Sequence, residues 1–295
     1  MQTGPFPRLL SLALGLSLAA VLATAQTPAP AVKKAAPARA PTPVPTPVID
    51  PRAIEVLKAS CAKLAAAGSM SFTALGAYEV PSLWGPPLIY GRTYEVTLQR
   101  PDKLRVITVG DGPRSEFYDD GKVIMSFHPA ENLVAVTEAP PTIDAALEKV
   151  YGLAGTYFPF TDVIVSDPWK DIASDLKAAF YVGESMLLGG TTTDVIAYES
   201  YGVFIQMWIG RDDKLPRMAR AIYYDDPLQL RQSVQFSNWQ LEPSIAPGGF
   251  TTAKAAGADR IQFNHPRMKS DLPAAVKPVG AGRPATRSKP TPKPK

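Results

Sequence analysis

Residues 202–224 read GVFIQMWIGRDDKLPRMARAIYY. Val203, Ile205, Met207 and Ile209 alternate with Phe204, Gln206 and Trp208. Alternation at period two marks a β-strand, and here both phases are largely apolar. Gly210-Arg211-Asp212-Asp213-Lys214 supplies a charged turn. Leu215-Pro216 opens a second strand, at an end position where proline is tolerated because no ladder N–H is needed. The stretch predicts a hairpin with one face for a core and a second face too apolar to stand bare in water. Such a hairpin suits a curved sheet that shelters something.

Working outward, most of the chain carries the same period. SMSFTALGAYEV (69–80), PPLIYGRTYEVTLQR (86–100) and PDKLRVITVG (101–110) read as successive strands. RSEFYDDGKVIMSFHP (114–129) reads as a hairpin about a type I′ turn at Asp120-Gly121, and ENLVAVTEAP (131–140) continues the meander. AAFYVGESML (178–187), TTDVIAYES (192–200) and LRQSVQFSNWQLEP (230–243) are further strands, while 250–266 shows no clear period. Two stretches switch to helical spacing. DPRAIEVLKASCAKLAAAG places Ile54, Leu57, Cys61 and Leu64 on one face, with Asp50 as N-cap, Pro51 at the first helical position and Gly68 as the stop. From a Thr142 cap, Ile143, Leu147, Val150, Tyr151, Ala154 and Phe158 form a second apolar stripe, and a short helix over 169–178 is expected after Asp167-Pro168. Seven to eleven strands with helices segregated at the start and middle predict an α+β fold. Its form is a strongly curved antiparallel sheet, or incomplete β-barrel, with helices covering the open side.

The ends differ from the middle. Arg8, the apolar run Leu9–Val21 and Ala23-Thr24-Ala25 spell a cleaved secretory signal over 1–25. Residues 26–51 are a Pro/Ala-rich spacer and 267–295 a basic, Pro-rich tail; neither has the bulky residues of a core, so both are expected to be disordered. Between Arg52 and Pro266 the chain holds 19 Lys and Arg against 25 Asp and Glu, a net of −6; the remaining segments carry +10, which gives +4 for the whole. The basic balance is therefore a property of the tails. They could touch an anionic envelope polymer or a membrane surface, or simply solubilise the chain. Export and an acidic core both argue against nucleic acid as a partner. Cys61, the single cysteine, excludes an intrachain disulfide and is expected to be buried and inert.

Catalytic and metal signatures are missing. His128 and His265 are the only histidines, too few with one buried thiol for a zinc site. No G-x-S-x-G elbow, dinucleotide fingerprint or phosphate loop occurs in a suitable place. Asp119-Asp120, Asp212-Asp213 and Asp225-Asp226 all fall in expected turns, where solvated acids are the simple reading. The chain therefore reads as no enzyme, with no cofactor.

An ordered set of short signals carries a resemblance: Arg100-Pro101-Asp102-Lys103-Leu104-Arg105, Tyr118-Asp119-Asp120-Gly121-Lys122, Ser126-Phe127-His128-Pro129, Met207-Trp208-Ile209, Leu215-Pro216-Arg217 and Phe236-Ser237-Asn238-Trp239. Across about 52–266 the sequence resembles the LolA/LolB-like superfamily of periplasmic lipoprotein carriers and receptors. Within it, the sequence looks most like a group of predicted periplasmic proteins with a domain of unknown function (2092). The resemblance implies a half-open barrel with helices in its mouth, located in the periplasm, with an apolar cavity for acyl chains. The carrier's lid-regulating arginine has no clear counterpart here, so the fold follows more directly than lipoprotein transport does. The expected function is an exported binding or carrier protein for a hydrophobic, lipid- or acyl-like ligand. Trp84, Tyr94, Leu147, Tyr151, Phe158, Phe160 and Trp208 are the expected ligand contacts. The alternative is a structural or sensory envelope module with a filled core; cavity volume separates the two.

Overall fold

The structure is a computed structural model and describes residues 48–264. The expected signal peptide, nearly all of the Pro/Ala-rich spacer, the basic tail and His265 lie outside the described residues.

Helix α1 spans Pro51–Ala66. The Asp50 carboxylate accepts from the Arg52 N–H at 2.9 Å, and Pro51 sits in the first turn, where its missing N–H leaves no bond unmade. The helix does not stop at a left-handed glycine. Ala67 is extended and the chain runs directly into β1 (Ser69–Val80), while the Gly68 N–H is taken by the Glu242 carboxylate at 2.7 Å. Strands β2 (Leu88–Gln99), β3 (Lys103–Gly110), β4 (Ser115–Asp120), β5 (Val123–His128) and β6 (Leu133–Glu138) follow as a meander. Asp119 pairs with Ile124, so the β4–β5 loop is Gly121-Lys122 rather than Asp120-Gly121. Gly121 alone has positive φ, +86°, which is the type II′ pattern instead of I′. Asp120 supports the loop from outside it by accepting from the Lys122 and Val123 N–H groups.

Helix α2 (Ile143–Ala154) is capped by the Thr142 hydroxyl, as its sequence predicts. It ends before Phe158, because Gly155 adopts the left-handed conformation at φ +66°. Two short helices follow, α3 (Thr161–Ile164) and α4 (Pro168–Ala173). Asp167 caps α4 as expected, but the helix is shorter than 169–178. Then come β7 (Leu176–Ser185), β8 (Thr193–Ser200), β9 (Val203–Gly210), β10 (Pro216–Tyr223) and β11 (Arg231–Leu241). A last short strand, β12 (Asp259–Ile261), pairs parallel with β6 in a region where the sequence shows no period.

All twelve strands form one sheet in the order β12-β6-β5-β4-β3-β2-β1-β11-β10-β9-β8-β7. Two meanders thus join at the β1–β11 pair, and both ends of the sheet stay open. Neighbouring strands each add a right-handed twist, so twelve of them coil rather than lie flat. This is the expected α+β plan, a curved antiparallel sheet whose helices lie against one face. Helix α1 packs on β7 and β8, and α3 and α4 pack on α1. The buried side chains form two main clusters on that face. One gathers Phe72, Leu104, Phe117, Val150, Phe158 and Phe160 beneath α2. The other gathers Leu57, Cys61, Tyr198, Ile205, Met207 and Ile209 beneath α1. Each such side chain contributes roughly 1.5–3 kcal/mol on full burial. On the opposite face of β5 and β6, Phe127 and Val134 are covered by Ala255 of a 3-10 turn, Ala253–Gly257.

Candidate functional site

Packing is incomplete where the two clusters meet. A cavity of about 60 Å³ lies among α1, the chain after α2, and strands β9 to β11. Helix α1 lends Leu57, Ser60, Cys61 and Leu64, four residues at helical spacing. The inward phase of the hairpin that opens the sequence argument lends Ile205 and Met207. The gap has a simple origin in register. Ala219 stands between Met207 and Val234, and Ala221 between Ile205 and Gln232. Two methyl groups in a row of bulky neighbours leave space that the helices do not fill.

The cavity also has polar groups in its lining. Asp162, in the first turn of α3, lines it. Burial, and after it the charge of Asp171, pushes the Asp162 carboxyl up to about 7. Tyr157 donates to the Tyr223 hydroxyl, which donates in turn to Gln232 Oε1 at 3.0 Å. Burial raises the Tyr157, Tyr198 and Tyr223 hydroxyls above their ordinary range, so all three are neutral donors at physiological pH. Ser60 is 1% exposed and its Oγ has no partner. Cys61 is buried, and burial pushes its thiol up to about 12. At that value the nucleophilic thiolate is scarce, in keeping with an inert packing residue.

A second, wider cleft of about 360 Å³ opens between α2 and the α3–α4 segment. Leu147, Tyr151, Phe158 and Val165 form its apolar side; Asp144, Glu148 and Asp171 form its acidic side. Tyr157 lines both spaces.

The residues expected to contact a ligand separate into three groups. Tyr94, Leu147, Phe158 and Phe160 come together under α2, but as close-packed core: Phe160 lies 5.3 Å from Tyr94 and 5.5 Å from Phe158, centroid to centroid. Phe160 also reaches the cavity, and Leu147, Phe158 and Tyr151 reach the cleft. Trp84 and Trp208 line neither. Trp84 is 93% exposed in the β1–β2 turn, with no neighbouring element over it. Trp208 occupies the outward phase of β9, opposite Ile205 and Met207. The turn acids also need correcting at one position. Asp119 is fully buried, because it still belongs to β4 and faces inward opposite Leu104. Its Oδ1 accepts from the Gly121 N–H at 3.0 Å while Oδ2 has no partner, and burial pushes its carboxyl up to about 6. Asp213 instead pairs with Arg217, and Asp226 accepts from Leu228 and Leu230 N–H groups. Asp162 was not distinguishable beforehand. Its one sequence signal is an acid set inside the apolar run Phe158-Pro-Phe-Thr-Asp-Val-Ile164.

Solved structures with related architecture include MucB of Pseudomonas aeruginosa, determined in a MucA/MucB complex, at 18% identity and a TM-score of 0.40 over 69% of this chain and 62% of that one. A putative outer membrane lipoprotein-sorting protein domain from Vibrio parahaemolyticus matches at 10% identity and a TM-score of 0.33, over 68% of this chain and 96% of that one. A LolA superfamily protein from Nitrosomonas europaea matches at 10% and 0.31, over 68% and 97%. The chain spans about three fifths of MucB's own length. No curated protein matches the sequence. Among the described residues no helix is long and apolar enough to cross a membrane. The model of one family, described as "Predicted periplasmic protein (DUF2092)", matches residues 53–264, the whole of the sheet and all but the first two residues of its helices, and the chain belongs to that family of periplasmic proteins.

Proposed function

We propose that this protein is a non-enzymatic binding or carrier protein of the periplasm and that it holds a hydrophobic ligand in the compartment beneath α1 and α3. The observation that supports this most directly is the unfilled seam between the two core clusters. Its walls are mainly apolar with a few polar groups among them, and a cleft of about 360 Å³ shares Tyr157 with it. Apolar walls with a few placed polar groups are the usual make-up of a small-molecule site. The cavity itself, at about 60 Å³, is smaller than the roughly 150 Å³ void that admits benzene. A long acyl chain would therefore enter only with displacement of the segment between α2 and α3. A filled-core envelope module is the second reading, supported by the tight aromatic packing under α2.

Titration with an uncharged, environment-sensitive apolar dye distinguishes the two. Carrier function predicts saturable binding that Ala219→Leu abolishes by filling the gap and that Tyr151→Ser weakens with little loss of melting temperature. No binding by the wild type, together with a large fall in melting temperature for Tyr151→Ser, would establish the filled module.

A further inference from the structure

Trp84 is an expected ligand contact that the compartment leaves unused, and its surroundings point elsewhere. Between Glu79 and Arg92 the chain runs for twelve residues, 80–91, without a charge. They form the end of the β1–β2 hairpin, and none of them lines the cavity or the cleft. Leu83 and Trp84 stand at the tip, 102% and 93% exposed, and Leu88 and Ile89 behind them are exposed as well. The tip has a defined shape. The Ser82 hydroxyl donates to the Pro86 carbonyl and accepts from the Trp84 N–H, and Gly85 takes the turn at φ +100°. These bonds hold the two most exposed large apolar side chains among the described residues out into solvent.

A second observation lies at the foot of the same hairpin. Arg220 projects to the face of the sheet opposite the cavity, because its neighbours Ala219 and Ala221 line the cavity. Across that face it stands in register with Ser233, Ala77 and Gly91, all small. Beside this row lies a groove of about 270 Å³, walled by Met218 and Ile89 and supplied with two guanidiniums, Arg220 and Arg231. Glu79 answers Arg231 at 3.8 Å; among the described residues the half-buried Arg220 guanidinium has no carboxylate partner. In a domain of net charge −6, this pair is a local excess of positive charge beside an apolar tip.

We propose that this end of the hairpin docks the protein on a phospholipid bilayer, with Leu83 and Trp84 entering the acyl boundary and Arg220 and Arg231 receiving lipid phosphates. Tryptophan has an apolar body and a polar N–H, which suits the level of the headgroups. Guanidinium forks match phosphate oxygens. The area of the tip argues against a protein partner. A stable protein interface takes about 800 Å² from each side. An aromatic side chain offers roughly 150–250 Å² and Leu83 no more, so the tip falls short. A bilayer asks for no matching shape, and membranes bound the periplasm in which this family resides. The docking does not rest on the ligand compartment.

Co-sedimentation of the full chain with vesicles of phosphatidylcholine, alone or mixed with phosphatidylglycerol, tests it. The wild type is expected to bind both, the anionic mixture more tightly, with the difference shrinking at high salt. Leu83→Ser combined with Trp84→Ser should weaken binding to both vesicles at least about tenfold without changing Tm, because neither side chain is packed. Trp84→Phe should keep most of the affinity. Arg220→Gln should leave binding to phosphatidylcholine unchanged and reduce the gain from phosphatidylglycerol about fivefold. A wild type that binds neither vesicle, or a double variant that binds as tightly as the wild type, overturns the docking. So does self-association of the wild type that the double variant loses, which would assign the tip to a second copy. An anionic gain unaffected by Arg220→Gln overturns the phosphate assignment.

Discussion

Asp162 gives the fold a definite response to pH. Its carboxyl is pushed from 3.8 to about 7 by burial, then by Asp171. Between those values the folded chain keeps a proton that the unfolded chain has released. Stability therefore falls as pH rises through that window and levels off above it. Asp119, pushed up to about 6, acts with the same sign over a narrower range. Asp162→Asn is expected to raise stability at about pH 8 by on the order of 1–3 kcal/mol and to flatten the dependence of Tm on pH between about 4 and 7. Thermal unfolding across that range checks it, and a Tm at pH 8 equal to or below the wild type contradicts it. Cys61 behaves otherwise: its thiol, pushed up to about 12, should resist a thiol reagent in the native protein. Cys61→Ala should cost about 1 kcal/mol, the loss of one small buried group. Prompt labelling of the folded chain would refute the packing role.

At the scale of elements, the strands were legible because period two survives in them almost unbroken. In β9 the inward phase Val203, Ile205, Met207 and Ile209 is buried and the alternate phase Phe204, Gln206 and Trp208 is not, as the spacing predicts. Helix caps were legible for a similar reason: Asp50, Thr142 and Asp167 act through their own side chains on N–H groups two or three residues away. Helix ends were not. Phe158 continues the stripe of α2 in spacing, yet Gly155 ends the helix first, and Phe158 reaches the core from an irregular segment. This assigns Leu147 and Phe158 mainly to packing, with one edge on the cleft. Leu147→Ala should then cost about 2–5 kcal/mol in denaturant-induced unfolding, as core truncations do. A cost under about 1 kcal/mol would mean that Leu147 serves the cleft and not the core.

Across the whole molecule the two clusters are not independent. Helix α1 contributes Leu64 to one and Leu57 and Cys61 to the other, and Ala219 packs against both. Residues 48–264 are therefore expected to unfold in a single transition when expressed alone, with a Tm within a few degrees of the longer chain. Two resolved calorimetric transitions would show that the halves of the sheet fold separately. The amino-acid sequence by itself determined the α+β plan, the strand phases, the N-caps, the family and the buried position of Cys61. These depend on residues within a turn or two of one another, or on a motif order that tertiary contacts do not alter. Tertiary structure decided the site. The gap exists because Ala219 and Ala221 stand in register between Met207, Ile205, Val234 and Gln232, on three strands whose pairing no local pattern states. Asp162 and Ser60 are distant in sequence and ordinary in type. Only the packing of α3 on α1 and of α1 on the sheet brings them to one cavity, Ser60 buried and Asp162 half-buried, and turns an ordinary aspartate into the most perturbed carboxyl of its lining.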